Sequence, residues 1–540
     1  MHTMSGDSNL KTLLIGIDAA CHRVLNPLFE RGELPTLSSV FESGVSSPLE
    51  SQIPPWTASA WPSLYTGMNP GKHGVFSFLS FDGYDWDVVN STDVRERTLW
   101  GVLSHHGVSS VVVNVPVTHP PRPFDGALIP GYTAPENPEC HPNGLLDDVR
   151  TEIGEYHVYP DTDDGELVDS YRACIRSRTA AFEYLVARFE PEFGFVQFQA
   201  TDSVVHRRPG DQNAVRSVYG EVDKQVGELI ATTDPDNVVI VSDHGIGPYD
   251  GYEFRVNDFL YDTGYVEFET DGRGMPSWGI ARDSKLKKGE ADTSLSQGLA
   301  EQFVASVASF GISSQSVGAA LERIGILDPI AKHVPLMLVK AGENWVSLPR
   351  SEAYMRSRIE LGVRINLEGR DPDGVVAQSE YESVRQRLIE RLRSVRTPDG
   401  EFVFEEVRRR EAYFHGPESD RAVDVVTIPS NFNHFLSAKH RGKQFGPPME
   451  PWDHKLHGII AAVGSDIQTG VTLEDPHLLD VAPTVLATLG IPMDERMDGE
   501  SLSCVEPVGA TTLSRFNGSP SVTTDDERIE DRLTDLGYLE

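Results

Sequence analysis

Short apolar runs, each about the length of one buried strand, recur along the chain between segments with helical periodicity. The first run, Thr12-Leu-Leu-Ile-Gly-Ile-Asp18, ends in a carboxylate. Similar runs lie at 111–115, 193–199, 238–242, 423–428 and 459–463. Runs of this kind that alternate with helices predict a largely buried, mostly parallel sheet with helices on its faces. The expected fold class is therefore α/β.

Two stretches between the apolar runs have the composition of insertions. Residues 80–190 are rich in Pro, Gly and Asp. Residues 265–420 combine a Gly/Ser/Asp/Lys loop at 271–296, an amphipathic helix near 297–324 and an α/β-like part around 353–407. We predict a catalytic core over 8–264 and 421–505, with an insertion within about 80–190. Residues 265–420 are predicted to form an inserted cap or substrate region. Residues 506–540 are predicted to form an acidic tail with a short helix within 523–536. Insertions at the carboxyl ends of strands build the rim of a pocket, so these stretches are expected to set substrate choice.

The charge of the chain excludes one class of partner. The 540 residues include 82 acidic and 47 basic side chains, which gives a formal net charge of −35. A surface this negative repels phosphate backbones, so a general nucleic-acid binder is excluded. The acidic residues are spread along the chain, and Arg outnumbers Lys. We interpret this as halophilic adaptation to a salty cytoplasm, because at 1 M salt the Debye length is only about 3 Å.

Cysteine usage and hydropathy indicate the compartment. The four cysteines (Cys21, Cys140, Cys174 and Cys504) lie far apart without CxxC spacing, which argues against a disulfide scaffold or a thiolate zinc site. No stretch approaches the 18–20 apolar residues of a membrane span, and residues 1–10 lack the features of a secretory signal. We expect a cytoplasmic protein without a membrane span.

Aspartates and histidines lie beside four of the predicted strands, and these residue types bind metals. They are Asp18, Asp202, His206, Asp243, His244 and His457. Three carboxylates and three imidazoles at one edge of a sheet can hold two divalent cations, and mixed N/O ligation suits Zn²⁺ or Mn²⁺ better than Ca²⁺. Taken singly, each residue has a structural interpretation: an Asp as a turn or cap, Asp202/His206 as a surface pair on one helical turn, and His457 as a core histidine.

A hydroxyl group is expected near this set. In Ile53-Pro-Pro-Trp-Thr57-Ala-Ser-Ala-Trp-Pro-Ser-Leu-Tyr-Thr-Gly67, the two prolines fix an extended approach and small residues then permit a turn into a helix. A hydroxyl at that helix N-terminus would face the positive end of the dipole, which favours an alkoxide and a phosphoryl oxygen. The structural alternative is that Thr57 only caps the helix, and Ser59 and Ser63 are competing hydroxyls.

The ordered set of motifs resembles the alkaline phosphatase superfamily. The resemblance is to its type I phosphodiesterase/nucleotide pyrophosphatase branch, and in particular to a phosphohydrolase/phosphomutase group of the superfamily, and it runs over nearly the whole chain. The motifs are Ile-Gly-Ile-Asp18, Pro-Pro-Trp-Thr57, Tyr-Thr-Gly67, Pro70-Gly-Lys-His-Gly74, Asn114-Val-Pro116, Thr118-His-Pro-Pro121, Thr201-Asp202 with His206, Val241-Ser-Asp-His-Gly245, Arg255-Val-Asn-Asp-Phe-Leu260, Ile365-Asn366, Gly369-Arg-Asp-Pro372, His457-Gly458 and Asp480-Val-Ala-Pro-Thr484.

The resemblance implies an alkaline-phosphatase-like fold and a role for each site residue. One metal would be held by Asp18, Asp243, His244 and the Thr57 oxygen, and the other by Asp202, His206 and His457. Thr57 lies ten residues before Gly67, as the family's nucleophilic threonine does before its Thr-Gly glycine. The implied activity is metal-dependent hydrolysis of small phosphate esters, diesters by this branch, through a phospho-threonine on Thr57. The implied cofactors are two divalent ions, Zn²⁺ with Mn²⁺ as the alternative.

The sequence departs from the branch at one position and leaves alternatives open. The branch has an asparagine, which donates to a phosphoryl oxygen, about four residues beyond its His-Gly motif. This chain has Val75-Phe-Ser-Phe78 after His73-Gly74 and no asparagine there. A second donor to the phosphoryl oxygen is therefore expected elsewhere, with Lys72 as one candidate. A phosphomutase would use the same residues, and a non-catalytic binding protein would be expected to have lost some of them. A sulfatase is disfavoured because Thr57-Ala-Ser-Ala-Trp lacks a Cys/Ser-x-Pro-x-Arg motif. The substrate, the choice between diester, monoester and mutase chemistry, and the oligomeric state stay open.

Overall fold

The structure is a computed structural model that describes residues 10–160, 167–269, 345–514, 516, 522–524 and 527–535. The predicted loop at 271–296 and the predicted helix near 297–324 lie outside these residues. Elements are numbered below in chain order.

The strands include the six predicted from the apolar runs. They are β1 (Thr12–Ile17), β2 (Val45–Glu50), β3 (Leu79–Asp82), β4 (Asp85–Val88), β5 (Ser110–Val115), β6 (Gly126–Pro130), β7 (Phe193–Phe198), β8 (Asn237–Val241), β9 (Gly245–Pro248), β10 (Glu253–Arg255), β11 (Phe268–Glu269), β12 (Trp345–Val346), β13 (Ala353–Tyr354), β14 (Gly362–Ile365), β15 (Phe404–Arg409), β16 (Val425–Pro429), β17 (Phe435–Ser437), β18 (Phe445–Gly446), β19 (Trp452–Lys455), β20 (His457–Gly464), β21 (Met493–Asp494) and β22 (Ala510–Thr511).

The helices alternate with the strands of the first half of the chain. They are α1 (His22–Glu30), α2 (Pro35–Ser43), α3 (Thr57–Thr66), α4 (Pro70–His73), α5 (Leu99–His105), α6 (Leu145–Ile153), α7 (Leu167–Phe189), α8 (Ala200–Arg207), α9 (Gln212–Thr233), α10 (Val256–Asp262), α11 (Tyr381–Arg393), α12 (Val481–Thr488) and α13 (Glu527–Asp535). The short helix predicted in the tail within 523–536 is α13. In the described part of the chain, no helix combines the length and the apolar character needed to cross a bilayer.

A seven-stranded sheet forms the centre of the fold. Its strand order is β2–β20–β8–β1–β7–β5–β6. Only β20 runs antiparallel to the other six strands, which confirms the predicted mostly parallel α/β sheet flanked by helices. Every residue of β1, β5, β7 and β8 is buried, as expected for strands covered on both faces.

The register of the central strands brings their carboxyl ends together. Ile17 of β1 pairs with Phe198 of β7, and Gly16 of β1 pairs with Val241 of β8. Residues that directly follow these three strands must therefore meet at one edge of the sheet, where α/β folds place their ligands.

A second, antiparallel sheet is built from the inserted part of the chain. Its order is β13–β14–β16–β15, and α11 packs against it. The apolar run at 423–428 forms β16 in this sheet and not a strand of the central one. The second sheet thus extends to Pro429, past the predicted boundary at residue 420. The apolar content of the run predicted a strand correctly, but the pairing partner depends on distant residues.

A buried carboxylate holds the second sheet together. Asp424 accepts hydrogen bonds from Arg370 (2.6 and 2.8 Å), from Arg410 (3.1 Å) and from the Tyr381 hydroxyl (2.7 Å). Burial opposes the charge of Asp424, but the guanidinium groups outweigh burial and lower its pKa to about 2. The Gly369-Arg-Asp-Pro372 motif therefore includes an arginine with a structural contact.

We expect Asp424→Asn to destabilise the protein by about 3 kcal/mol, because the change removes the buried charge shared by Arg370 and Arg410 and leaves each of them only its second partner, Asp371 or Asp420. The matched control is Asp420→Asn, since Asp420 also pairs with Arg410 but its side chain is 81% exposed; its cost should stay below about 1 kcal/mol. Urea unfolding of both variants measures the difference, and equal midpoints would contradict this account.

Candidate active site

Thr57 is the first residue of α3 and faces the edge of the central sheet. The chain reaches it in an extended conformation, with Trp56 at φ −117° and ψ 140°. The Thr57 side chain is fully buried, and its Oγ1 lies 3.1 Å from Nε2 of His244. The residue at the helix cap is Trp56, so the Thr57 hydroxyl lies at the helix N-terminus and faces the histidine.

The two competing hydroxyls have other partners. Ser59 donates to the Val75 carbonyl (2.8 Å), and Ser63 donates to the Ser59 carbonyl (2.9 Å) and contacts Nε2 of His73 (2.8 Å). Burial lowers the pKa of His73 to about 3, so this imidazole is neutral at pH 7. Both serine hydroxyls are thus engaged in hydrogen bonds with uncharged partners, away from the candidate metal ligands.

Asp18, Asp243 and His244 form one group of potential metal ligands. Asp18 follows β1, and the other two follow β8. The His244 Nε2 lies 3.2 Å from Oδ2 of Asp243 and 3.5 Å from Oδ1 of Asp18. These two carboxylate oxygens are buried and accept no hydrogen bond. Both are therefore available to bind a cation beside Thr57.

The other oxygen of Asp18 is held by two donors. Its Oδ2 accepts from the Trp61 indole (3.0 Å) and from the Gln197 amide (2.8 Å). Gly16 allows the first contact, because a Cβ at this position would lie 2.5 Å from the Trp61 ring. These two donors fix the orientation of the Asp18 carboxylate, so that its Oδ1 faces His244.

Asp202, His206 and His454 form the second group. Asp202 and His206 lie one turn apart on α8, and His454 lies on β19. The Oδ1 of Asp202 lies 3.3 Å from Nε2 of His206 and 3.6 Å from Nε2 of His454. The His244 and His454 rings stack with their centroids 3.7 Å apart, so the two groups are contiguous.

Each of the three imidazoles has an oxygen acceptor at Nδ1. The acceptors are the Gly245 carbonyl for His244 (3.0 Å), the Pro55 carbonyl for His454 (3.0 Å) and the Glu450 carboxylate for His206 (3.3 Å). An imidazole that donates from Nδ1 presents the lone pair of Nε2, and this is the arrangement of metal-binding histidines. All three Nε2 atoms face aspartate oxygens.

The electrostatics of the two groups favour a cation. Burial, together with repulsion from Asp243 and Asp202, raises the pKa of Asp18 well above its ordinary value. Burial raises the pKa of Asp243 to about 6, Asp202 adds to the shift and His244 opposes it. Burial and the neighbouring His244 and His206 lower the pKa of His454. Divalent cations would remove the mutual repulsion of the carboxylates, and His454 is held in the neutral form that binds metal. Burial opposes the charge of His206, but Asp202 and Glu450 outweigh burial and raise its pKa, so a cation there would displace a proton.

His457 is the predicted ligand that the structure does not bring to the site. It is the first residue of β20, its side chain is exposed, and it lines a surface cavity beside Cys21 and Glu50. His454 takes the expected place three residues earlier. The sequence offers two histidines in one short segment, and only the pairing of β19 with β9 decides which of them is buried against α8.

Lys72, the candidate oxygen donor, also lies elsewhere. Its ammonium group contacts the Asp498 carboxylate and donates to the Arg496 carbonyl (2.7 Å). Sequence reasoning missed His454, Glu450 and Gln197. Gln197 carried a signal, because it and Gln199 are the polar residues of the apolar run at 193–199, whereas His454 and Glu450 have no such signal in their local sequence.

Comparisons with known proteins establish the fold and the family. The family model described as "Type I phosphodiesterase / nucleotide pyrophosphatase" matches residues 12–307. Phosphonoacetate hydrolase from Sinorhizobium meliloti 1021, solved with phosphonoformate, is 15% identical, with 88% of this chain and 94% of that chain covered and a TM-score of 0.55. The wild-type alkaline phosphatase PafA is 13% identical, with 93% and 100% covered and a TM-score of 0.51. No curated protein sequence matches the chain.

At these identities the two solved structures establish the fold alone, which is alkaline-phosphatase-like as expected from the resemblance. The family model adds a match to more than half of the sequence, including Thr57 and every candidate ligand except His454. The chain belongs to the type I phosphodiesterase/nucleotide pyrophosphatase family.

Proposed function

We propose that this protein is a metal-dependent hydrolase of small phosphate esters, with diesters as the preferred class, and that Thr57 is its nucleophile. One observation carries the proposal. Three imidazoles and three carboxylates place their Nε2 and Oδ atoms within contact distance of one another around one buried space beside the Thr57 hydroxyl. Membership of the family supports the reaction class.

Two divalent cations fit this set of donors. Asp18, Asp243, His244 and the Thr57 oxygen would hold one of them, and Asp202, His206 and His454 would hold the other. Nitrogen and oxygen donors without thiolates suit Zn²⁺, with Mn²⁺ as the alternative. Such a pair supplies Lewis acidity that activates a hydroxyl and stabilises the oxygens of an in-line displacement.

The residues of the chain supply position and polarity. The N-terminus of α3 places Thr57 Oγ1 at the positive end of a helix dipole, which favours an anionic oxygen there. Attack of this oxygen on phosphorus forms the phospho-threonine and releases the alcohol of the ester. Water then cleaves the new bond between phosphorus and the Thr57 oxygen. Trp61 and Gln197 position Asp18, and Glu450 positions His206.

We also propose a cytoplasmic location for this acidic protein. The four cysteines are free thiols and all are buried, which is the usual state of cysteine in a reducing compartment. Halophilic adaptation stays a proposal that rests on the net charge.

Thr57→Ala should lower kcat by about a thousandfold or more, because removal of a nucleophile leaves only binding and electrostatic stabilisation. Hydrolysis of bis-p-nitrophenyl phosphate and p-nitrophenyl phosphate in the presence of Zn²⁺ or Mn²⁺ measures this. Thr57→Ser, which keeps the hydroxyl, should retain part of the activity. Unchanged activity of the alanine variant would refute the nucleophile, and a rearranged phosphate ester in place of free alcohol would indicate a phosphomutase.

His454→Ala should reduce the metal content from two ions per chain towards one and abolish the activity. His457→Ala is the matched control, because its exposed side chain should change neither. Mass spectrometry of the metal content of dialysed protein distinguishes the two variants. Metal loss in the His457 variant together with retention in the His454 variant would restore the assignment made from the sequence alone.

Stabilisation by metal should depend on pH. The raised pKa of Asp243 means that its charged form is disfavoured in the metal-free fold, so this group lowers stability as pH rises from about 4 through 6. Metal needs the charged form, so added Zn²⁺ or Mn²⁺ should raise Tm at pH 7.5 and much less at pH 5. Thermal unfolding with and without chelator tests this, and equal shifts at both pH values would contradict it.

A further inference from the structure

A cavity of about 50 Å³ lies beside the candidate metal centre, between α7, α8 and α13. Tyr132, Arg178, Gln199 and Arg207 contribute to its walls, and Arg532 of α13 closes one side. The volume suits a few water molecules or one small oxyanion group. It does not include any of the candidate metal ligands.

Arg178 is the most unusual residue of this wall. Its side chain is buried, with 2% of the residue exposed, and one guanidinium nitrogen donates to the Val158 carbonyl (2.8 Å). Its Nε and Nη1 are buried without a hydrogen-bond partner. Among the described residues, no carboxylate lies within 4 Å of the group. A buried charge without a counter-charge is costly and is retained where a ligand supplies the opposite charge.

Other unused donors face the same space. The Tyr132 hydroxyl and the Gln199 amide nitrogen are buried and have no partner. The Arg532 guanidinium lies over the Tyr159 ring, 3.5 Å from its centroid, and its nearest carboxylate, Glu136, is 3.9 Å away. Asn114 offers one unused acceptor oxygen. Donors therefore outnumber acceptors, and two of the donor side chains are permanently cationic.

The cavity adjoins the metal centre without sharing its ligands. The Gln199 side-chain oxygen accepts from Gln197 (3.0 Å), and Gln197 donates to Asp18. On α8, Asp202 and His206 face the metal centre, whereas Ser203 and Arg207 line the cavity. Burial raises the pKa of Tyr132 well above its ordinary value, and the Asp202 carboxylate adds to the shift, which reflects this proximity.

We propose that this cavity is a second ligand site, which binds the phosphate or carboxylate group of a small molecule through Arg178, Tyr132 and Gln199. The oxyanion supplies the counter-charge and the acceptors that the wall lacks. A guanidinium with free N–H groups binds both kinds of oxyanion, so the chemistry shared by phosphate and carboxylate defines the ligand class.

Calorimetric titration of the full-length protein with inorganic phosphate and with acetate, at constant ionic strength, tests the proposal. Arg178→Gln should weaken binding by about ten- to hundredfold, the range for loss of charged hydrogen bonds. The matched control is Arg176→Gln on the same helix, where the side chain is 46% exposed and pairs with Glu221 (3.2 Å); its affinity should equal that of the wild type. Titration of the His454→Ala variant separates the cavity from the metal centre, because anion binding in the cavity should persist in this variant.

Tyr132→Phe provides a second test that does not depend on the stability of the Arg178 variant. It removes a hydroxyl that has no partner in the fold, so the protein should remain folded while its affinity falls about two- to tenfold. Binding of either anion with this pattern supports the site, and the tighter of the two identifies the ligand group. Absence of binding by both anions at millimolar concentration would overturn the proposal. Equal affinity of the Arg178 variant and the wild type, or loss of binding in His454→Ala, would do the same.

Discussion

The repulsion between buried aspartates at adjacent strand ends is the constraint on which the site depends. Asp18, Asp202 and Asp243 follow three neighbouring strands, and all three side chains are fully buried. Burial and proximity both raise the free energy of the ionised form. A cation would restore the balance, so the same contacts that make the metal-free protein less stable would prepare the proposed site for metal.

The contacts around this centre connect it to the inserted part of the chain. Arg358 lies just before β14, donates to Asp453 (2.8 Å) and lies 3.8 Å from Glu450. Asp453 precedes His454 in the chain, and Glu450 faces His206. The second sheet therefore supports the ligands from outside the central sheet, and a change in its packing would reach two histidines of the site.

The sequence allowed prediction of those features that depend on neighbouring residues. For β1 and β8, the strand and the site residues that follow it lie in one short segment, so β1 with Asp18 and β8 with Asp243 and His244 could be identified together. The pairing of distant segments could not be identified in this way. The run at 423–428 joined the second sheet, and His454 rather than His457 reached α8, because both outcomes depend on partners far away in the chain. The division into domains and the roles of the site residues stay predictions.

The position of β20 inside the central sheet determines how much of the polypeptide is needed to complete the fold. This strand separates β2 from β8, so β2 has no other neighbour in that sheet. A fragment ending near residue 307 would contain six of the seven proposed metal-binding residues, yet it would leave β2 without a partner and β8 with an unpaired edge. The folding unit therefore extends through at least residue 464, beyond the residues that the family model matches.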